Sequence, residues 1–370
     1  MKGSGGAPLS ILYVSARYPP FVGGTEIHTA EVARRMAAKG HDVTVLTTVF
    51  EPMPTSEEIV EGVRVVRLRA WPADYDFYLA PALFSSIRHG KWDIVHCQGY
   101  HTFVAPAAMT AAITAHHRFV VTFHSGGHSS MVRRTLRPLQ QQLLRPMLKR
   151  ADRLIGVSQF ETDFFRRRLR LPASQFTTIT NGVSPDFLDV YSESEGSRSI
   201  ICSVGRLERY KGHHRVIEAL PALRKLVPNV MLYIVGDGPY GPRLEALARQ
   251  LGVRDIIEFI SIDPAERRQM AELFRSAHLI TLLSDYESQG VVGLEAIAVG
   301  RPLLVADGTA LAELGRYGEV SVVPPVIDKH SLAALIARKL NEKSSPSRDL
   351  VPLWDHTADA LEALYLEVLS

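Results

Sequence analysis

The sequence predicts an α/β protein built on two doubly wound, mostly parallel sheets that face each other across a cleft. Three observations predict it. Short apolar runs alternate with helix-length amphipathic stretches along nearly the whole chain, the pattern of strand–helix–strand units. The alternation breaks once, in the polar, acidic stretch SPDFLDVYSESEGSRS at 184–199, and then restarts. A length of 370 residues also exceeds what one ordinary core organises. The expected division is a first domain over 1–185, a linker over 186–198, a second domain over 199–352 and a closing helix over 353–370.

In order, ILYVSA is the first strand, followed by a helix over about 25–39 that Gly40 ends in the C-cap role. DVTVLTT, VRVVRLRA, WDIVHCQG, RFVVTFHS and RLIGVS continue the strand series. Before the last of these, Leu136, Leu139, Leu143, Leu144, Met147 and Leu148 recur at helical spacing, interrupted at Pro138 and Pro146. Beyond the linker, SIICSVGRL, VMLYIVGDG, DIIEFI, HLITLL and PLLVAD read as five strands. IDPAERRQM opens a helix with Asp263 as N-cap, Pro264 at N1 and Glu266 at N3. The final helix, over 354–369, could pack back across both domains.

Composition narrows the function. Hydrophobic residues at 46% and charged ones at 22% fit a soluble globular chain. No apolar run reaches the roughly 18 residues of a membrane span, and the N-terminus shows no signal-peptide pattern, so a cytoplasmic location is expected. Cys97 and Cys202 lie inside apolar runs and read as buried free thiols. No Cys/His cluster has zinc spacing. Net charge is +3, yet from 131 to 170 eleven Arg/Lys face three Asp/Glu, a local excess of 11 − 3 = +8. That region reads either as a solvated helix face or as a patch for anionic lipid or a phosphorylated acceptor, peripheral to the inner face of a membrane. Nucleic acid is disfavoured because no reader motif accompanies the charge.

Four stretches could carry chemistry. In DYESQGVVGLEAIAVGRP, Glu287 falls at a strand's carboxyl end, where open α/β sheets bind ligands. Gly290 opens the next helix, whose first amides can hold an anion, and Glu295 could accept hydrogen bonds from a sugar diol. The alternative is a capping carboxylate and a surface glutamate. In SVGRLERYKGHHRVIEAL, Arg206 and Lys211 lie on a strand-to-helix loop and suit a diphosphate, or are simply solvated charges. In YPPFVGGTEIHTAEVARRM, Gly23 and Gly24 allow close backbone approach to a ligand, but the spacing is not the dinucleotide fingerprint. In VVTFHSGG, His124 ends a strand beside glycines, as a functional or a structural histidine. Asp74 and Asp76 spell a D-x-D metal motif in an aromatic loop and are set aside. GDGPYG reads as a strand-to-helix turn.

Together and in this order, GGTE, FHS, ITNGVSPDF, VGRLERYKG, IVGDGP and SDYESQGVVGLEAIAVGRP resemble the retaining family 4 glycosyltransferases of GT-B fold over essentially the whole chain. The resemblance implies two Rossmann-like domains, the first binding acceptor and the second the nucleotide sugar. It implies that Arg206 and Lys211 hold the donor's diphosphate, with the amides of Gly290 and Val291 capping the phosphate. It further implies that Glu295 binds the ribose, that Glu287 contacts the transferred hexose, that Gly23 and Gly24 close on the diphosphate, and that His124 approaches the reacting sugar. No cofactor and no metal are implied; the donor nucleotide is open, with a UDP type favoured. Ser288 and Gln289 stand where the family commonly has Gly and Phe, and Ser261 where it commonly has Gly. The acceptor is unidentified. A phosphorylase or a nucleotide-sugar epimerase would use a similar phosphate cradle, and a nucleotide-sugar sensor would bind donor without turning it over.

Overall fold

A computed structural model describes residues 7–21, 23–72, 78–100, 102–125, 131–189, 198–263, 265–342 and 350–370. Asp74, Asp76 and Pro264 lie outside the described residues. The chain divides into two compact units. The first runs to Ser125, resumes over Val132–Asn181 and takes up Trp354–Ser370; the second is Gly182–Leu353.

The first unit contains β1 (Ser10–Ser15), α1 (Gly24–Ala38), β2 (Asp42–Val49), β3 (Ser56–Val60), β4 (Val63–Arg69), α2 (Pro81–His89), β5 (Ile94–Gln98), α3 (Val104–Ala115), β6 (Phe119–Thr122), α4 (Met131–Leu148), β7 (Arg153–Gly156), α5 (Gln159–Leu169) and β8 (Phe176–Thr178). Its sheet order is β3-β4-β2-β1-β5-β6-β7-β8. Every pairing is parallel except β3 with β4. Strands such as β5 are buried along their whole length, which is why they read as unbroken apolar runs. From β1 the chain builds outward through β2, then crosses back to place β5 on β1's other side. The strand order therefore reverses between β1 and β5, where Ser15 pairs with Gln98.

The second unit contains β9 (Ser199–Val204), α6 (His213–Leu226), β10 (Val230–Val235), α7 (Gly241–Gln250), β11 (Ile257–Ile260), α8 (Arg267–Ser276), β12 (Leu279–Leu282), α9 (Val291–Ala298), β13 (Leu303–Ala306), β14 (Val320–Val323) and α10 (Lys329–Asn341). The order is β11-β10-β9-β12-β13-β14, all parallel. Here the order reverses between β9 and β12. Each sheet is covered on both faces by an apolar cluster. Cys97 and Cys202 are free and buried in these cores, and burial pushes both thiols up to about 12.

The last helix, α11 (Trp354–Leu369), belongs to the first unit. Trp354, Ala358, Leu361 and Tyr365 are buried with Val32, Met36 and Ile11 in one cluster. The Tyr365 hydroxyl meets Tyr13 Oη at 3.0 Å and His96 Nδ1 at 2.6 Å, so its polar end is satisfied inside the core.

Several expectations are corrected. The hairpin strand β3 was not expected. Its SEEIV residues are largely exposed on an edge, and the turn is made by Glu61 and Gly62, both at positive φ, as a two-residue type I′ turn requires. β8 and β14 are short edge strands that the apolar-run reading also passes over. Gly40 lies one residue beyond the cap of α1, which is Lys39. The bonds from Gly40 N to Ala37 O (2.9 Å) and His41 N to Met36 O (3.2 Å) close the helix in a Schellman pattern. Pro138 and Pro146 do not break α4, which runs through both; Leu144 and Leu148 bury its inner face in the core, and that packing outweighs the lost amide bonds. The α8 helix starts at Arg267 rather than at Pro264. Asp263 instead accepts from Ala265 N at 2.9 Å and closes a turn ahead of the helix. Among the described residues, no helix is long and apolar enough to cross a membrane.

Candidate active site

In the second unit the loops that follow β9 and β12 meet where the strand order reverses. Gly212 has φ +78°, and a β-carbon there would stand 2.0 Å from the Leu283 carbonyl oxygen. Asp285 N donates to Tyr210 O at 2.7 Å, while Arg215 donates to Leu283 O at 3.1 Å and pairs with Asp285. The two loops are thus locked together. Across that junction Lys211 Nζ lies 2.6 Å from Glu287 Oε1, and both side chains are 17% exposed. Ser284 Oγ donates to the same oxygen at 2.9 Å. Burial works against the Lys211 ammonium, but Glu287 and Tyr210 outweigh it and hold its pKa above the ordinary value. Tyr210 lies under the ammonium, its ring centroid 5.4 Å from Nζ.

Arg206, on the same loop, is the contrast. Its side chain is 68% exposed, and Glu208 is 3.8 Å away. Its carbonyl is braced from below by His213, whose Nε2 is 3.3 Å from Arg206 O and whose Nδ1 meets Ser203 Oγ at 2.8 Å. Burial pushes His213 down to about 4, so the ring is a neutral brace.

Gly290 caps α9 with φ +81°, and a β-carbon there would meet Leu311 Cδ2 at 2.3 Å. Only glycine fits both the dihedral and the contact. Val291 is the first helical residue. Glu295 is not a surface glutamate: it is 4% exposed and paired with Arg267. Burial raises its pKa and Arg267 pulls it back. Arg267 in turn lies 4.9 Å from the ring centroid of Phe187. Ser261 donates its hydroxyl to Asp237, at the turn after β10.

In the first unit the glycine pair opens α1, with Gly23 as N-cap and Gly24 as first residue. The Glu26 carboxylate folds back over Gly23, where a β-carbon would stand 2.3 Å from it. His124 follows β6 with φ +46°, in the left-handed region. Its ring is buried, with Nε2 at 2.7 Å from Gln98 Oε1 and its edge on His28 at 4.5 Å between centroids. His28 Nδ1 meets Asn181 Oδ1 at 2.6 Å, and burial pushes His28 down to about 4. The next residue is held by Glu161, which accepts from Ser125 N at 2.6 Å, from Ser125 Oγ, and from Val157 N at 2.9 Å. Burial pushes Glu161 up to about 7 despite these bonds.

The structure therefore brings Lys211 and Glu287 into contact, sets Arg206 and Gly290 on the same pair of loops, and gives Glu295 to Arg267. Gly23, Gly24 and His124 belong to the other unit. Sequence reading missed Gln98, Glu161, His213 and Arg267. For Glu161 a signal existed: SQFE at 158–161 is a capping box, and Ser158 Oγ accepts from Glu161 N at 3.0 Å. Among the described residues no cluster of three His, Cys, Asp or Glu could hold a metal.

The chain matches the family model Glycosyltransferase Family 4 over residues 22–187 and Glycosyl transferases group 1 over 189–350. It is 30% identical over 368 residues to a glycogen synthase of Mycobacterium tuberculosis, covering 92% of this chain and 88% of that protein. The fold is similar to sucrose-phosphate synthase from Thermosynechococcus elongatus, with TM-score 0.75, 22% identity, and 97% and 98% of the two chains covered. It is also similar to Anabaena HepE in complex with UDP and glucose, with TM-score 0.70, 18% identity, and 98% and 97% covered. With two Rossmann-like parallel sheets and both halves matched, the chain belongs to the family 4, group 1 glycosyltransferases of GT-B fold.

Proposed function

We propose that this glycosyltransferase moves a hexose-type sugar from a nucleotide-diphosphate sugar, a UDP type favoured, to an acceptor hydroxyl, with retention and without a metal. The observation that carries the reading is the contact between Lys211 and Glu287 at the reversal point of the second sheet. A sugar diphosphate has an anionic half joined to a neutral polyol half. A cation and a carboxylate side by side, next to free helix amides, suit that junction.

In the reaction the anomeric carbon–oxygen bond breaks, and its electron pair stays on the departing phosphate. The acceptor oxygen attacks the same face of that carbon, and its proton passes to the phosphate oxygen that left. Arg206, Lys211 and the amides of Gly290 and Val291 take up the charge growing on the diphosphate. Glu287 orients the sugar's hydroxyls, and Glu295 holds the ribose. Gly23 and Gly24 contact the diphosphate and His124 lies beside the sugar, roles carried over from the resemblance. The UDP type is supported by HepE, a protein of this fold solved with UDP and glucose.

The acceptor is proposed to be lipid-linked or a small glycoside. Arg145, Arg167, Arg168 and Arg170 line a surface cavity of about 450 Å³, which suits peripheral contact with an anionic inner membrane face in the cytoplasm. Thermal shift against UDP, GDP, dTDP and their sugars tests the donor, since bound ligand stabilises by mass action. The expected result is the largest shift with UDP, and UDP release only when an acceptor is added. No shift with any nucleotide contradicts the reading.

A further inference from the structure

The reversal point of the first sheet carries a pocket that the donor chemistry leaves unused. It holds about 150 Å³, below the ~300 Å³ of a drug-sized site, so it suits one ring rather than a chain. Ser15, Ala16 and Arg17 line it from the end of β1, Gln98 to Tyr100 from the end of β5, and Thr25 and Glu26 from the first turn of α1. Open α/β sheets bind ligands in this crevice, outside the carboxyl ends of strands where the order reverses.

Gln98 is the second observation. It is 4% exposed, and its Nε2 has no hydrogen-bond partner. Its Oε1 meets His124 Nε2 at 2.7 Å. A buried amide left unpaired costs stability unless a ligand completes it. Among the described residues the charges around it cancel: Arg17 is the one cation in the lining and Glu26 the one anion. Tyr78 Oη donates to Ala16 O at 3.4 Å in the same wall, and Tyr100 Oη is taken by Gln141 at 3.1 Å. Mixed donors and acceptors with no net charge suit hydroxyls and not a phosphate ester.

We propose that this pocket seats one neutral, hydroxyl-bearing ring of the acceptor, a sugar or a cyclitol, and that the Gln98 amide donates to one of its oxygens. The seat deepens the transferase reading and rests on the first unit's holding the acceptor. Through its amide oxygen, Oε1, Gln98 ties the seated ring to His124.

Saturation-transfer NMR on the full chain with D-glucose, D-mannose, myo-inositol and glucose 6-phosphate tests it, with UDP titrated separately. At least one neutral ring should bind, and glucose 6-phosphate no more tightly. Gln98→Leu should weaken the neutral ring about tenfold, the worth of one hydrogen bond, with UDP affinity unchanged. Thr25→Trp, on the partly exposed first turn, should block the pocket and abolish ring binding even where Gln98→Leu fails to fold. Binding of no neutral ring, tighter binding of the phosphate ester, or unchanged affinity in both variants overturns the proposal. Failure of UDP to bind overturns the donor reading instead and leaves the ring result standing.

Discussion

Lys211 and Glu287 stand 76 positions apart in the chain and meet at 2.6 Å where the second sheet reverses its strand order. The pair is the fixed point of the proposed donor site, because the loops carrying it are locked through Gly212, Leu283, Arg215 and Asp285.

Arg206 and Lys211 should therefore fail in different ways. Either alanine variant should lower kcat/KM by about two to three orders of magnitude, the scale of a lost transition-state donor. Arg206 is exposed, so its removal should leave the unfolding midpoint unchanged. Lys211→Ala leaves the Glu287 carboxylate part-buried without its cation, which should cost about 3 kcal/mol. Stability should return in Lys211→Met/Glu287→Leu while activity does not. Urea unfolding beside steady-state kinetics checks this; equal stability losses at 206 and 211 would remove the special standing of the pair.

Activity should persist in excess EDTA, because protein cations and helix amides are proposed to take up the leaving group's charge. Complete loss in chelator, restored by magnesium or manganese, would bring Asp74 and Asp76 back as metal ligands.

Glu161 should make the protein pH-sensitive. Its folded pKa is raised to about 7 from an ordinary 4.5, so the folded state holds its proton more tightly than the unfolded state does. Stability from this group is fully present below about 4.5 and is lost as pH rises toward 7. The loss should reach about 3 kcal/mol by linkage. Glu161→Gln keeps one acceptor oxygen, enough for Ser125, and turns an NH2 toward Val157 N; it does not titrate, so it should remove that slope whatever its constant cost. Urea unfolding from pH 5 to 8 on both proteins reads it, and parallel pH profiles would show that the buried carboxyl does not titrate.

Arg267 should act through Glu295. With Arg267→Met, burial acts unopposed on the Glu295 carboxyl, which then favours its neutral form. Donor KM should rise about tenfold with kcat little changed, the signature of lost uniform binding. A large kcat loss at normal KM would place Arg267 at the reacting sugar.

The parallel strands were legible because strands buried on both faces leave continuous apolar runs, as SIICSV and LITL do. The β3 edge was not, since SEEIV carries its polarity to solvent. At the site, the charged residues and glycines of each loop could be read locally. Their partners could not. Lys211 with Glu287, Arg267 with Glu295 and His124 with Gln98 are each joined only by the fold. The unpaired amide of Gln98 is likewise a fact of burial, and nothing in VHCQG announces it.

Isothermal titration of UDP into the wild-type chain, Glu295→Ala and Glu287→Ala decides whether the reversal point of the second sheet holds the nucleotide diphosphate in the orientation argued above. Wild type should bind one UDP, and Glu295→Ala should bind it at least about tenfold more weakly. Glu287→Ala should keep UDP affinity while losing kcat, because that carboxylate is proposed to face the sugar. If Glu287→Ala loses UDP and Glu295→Ala keeps it, the donor lies the other way round. If the wild-type chain binds no UDP, GDP or dTDP, the site does not hold a nucleotide donor.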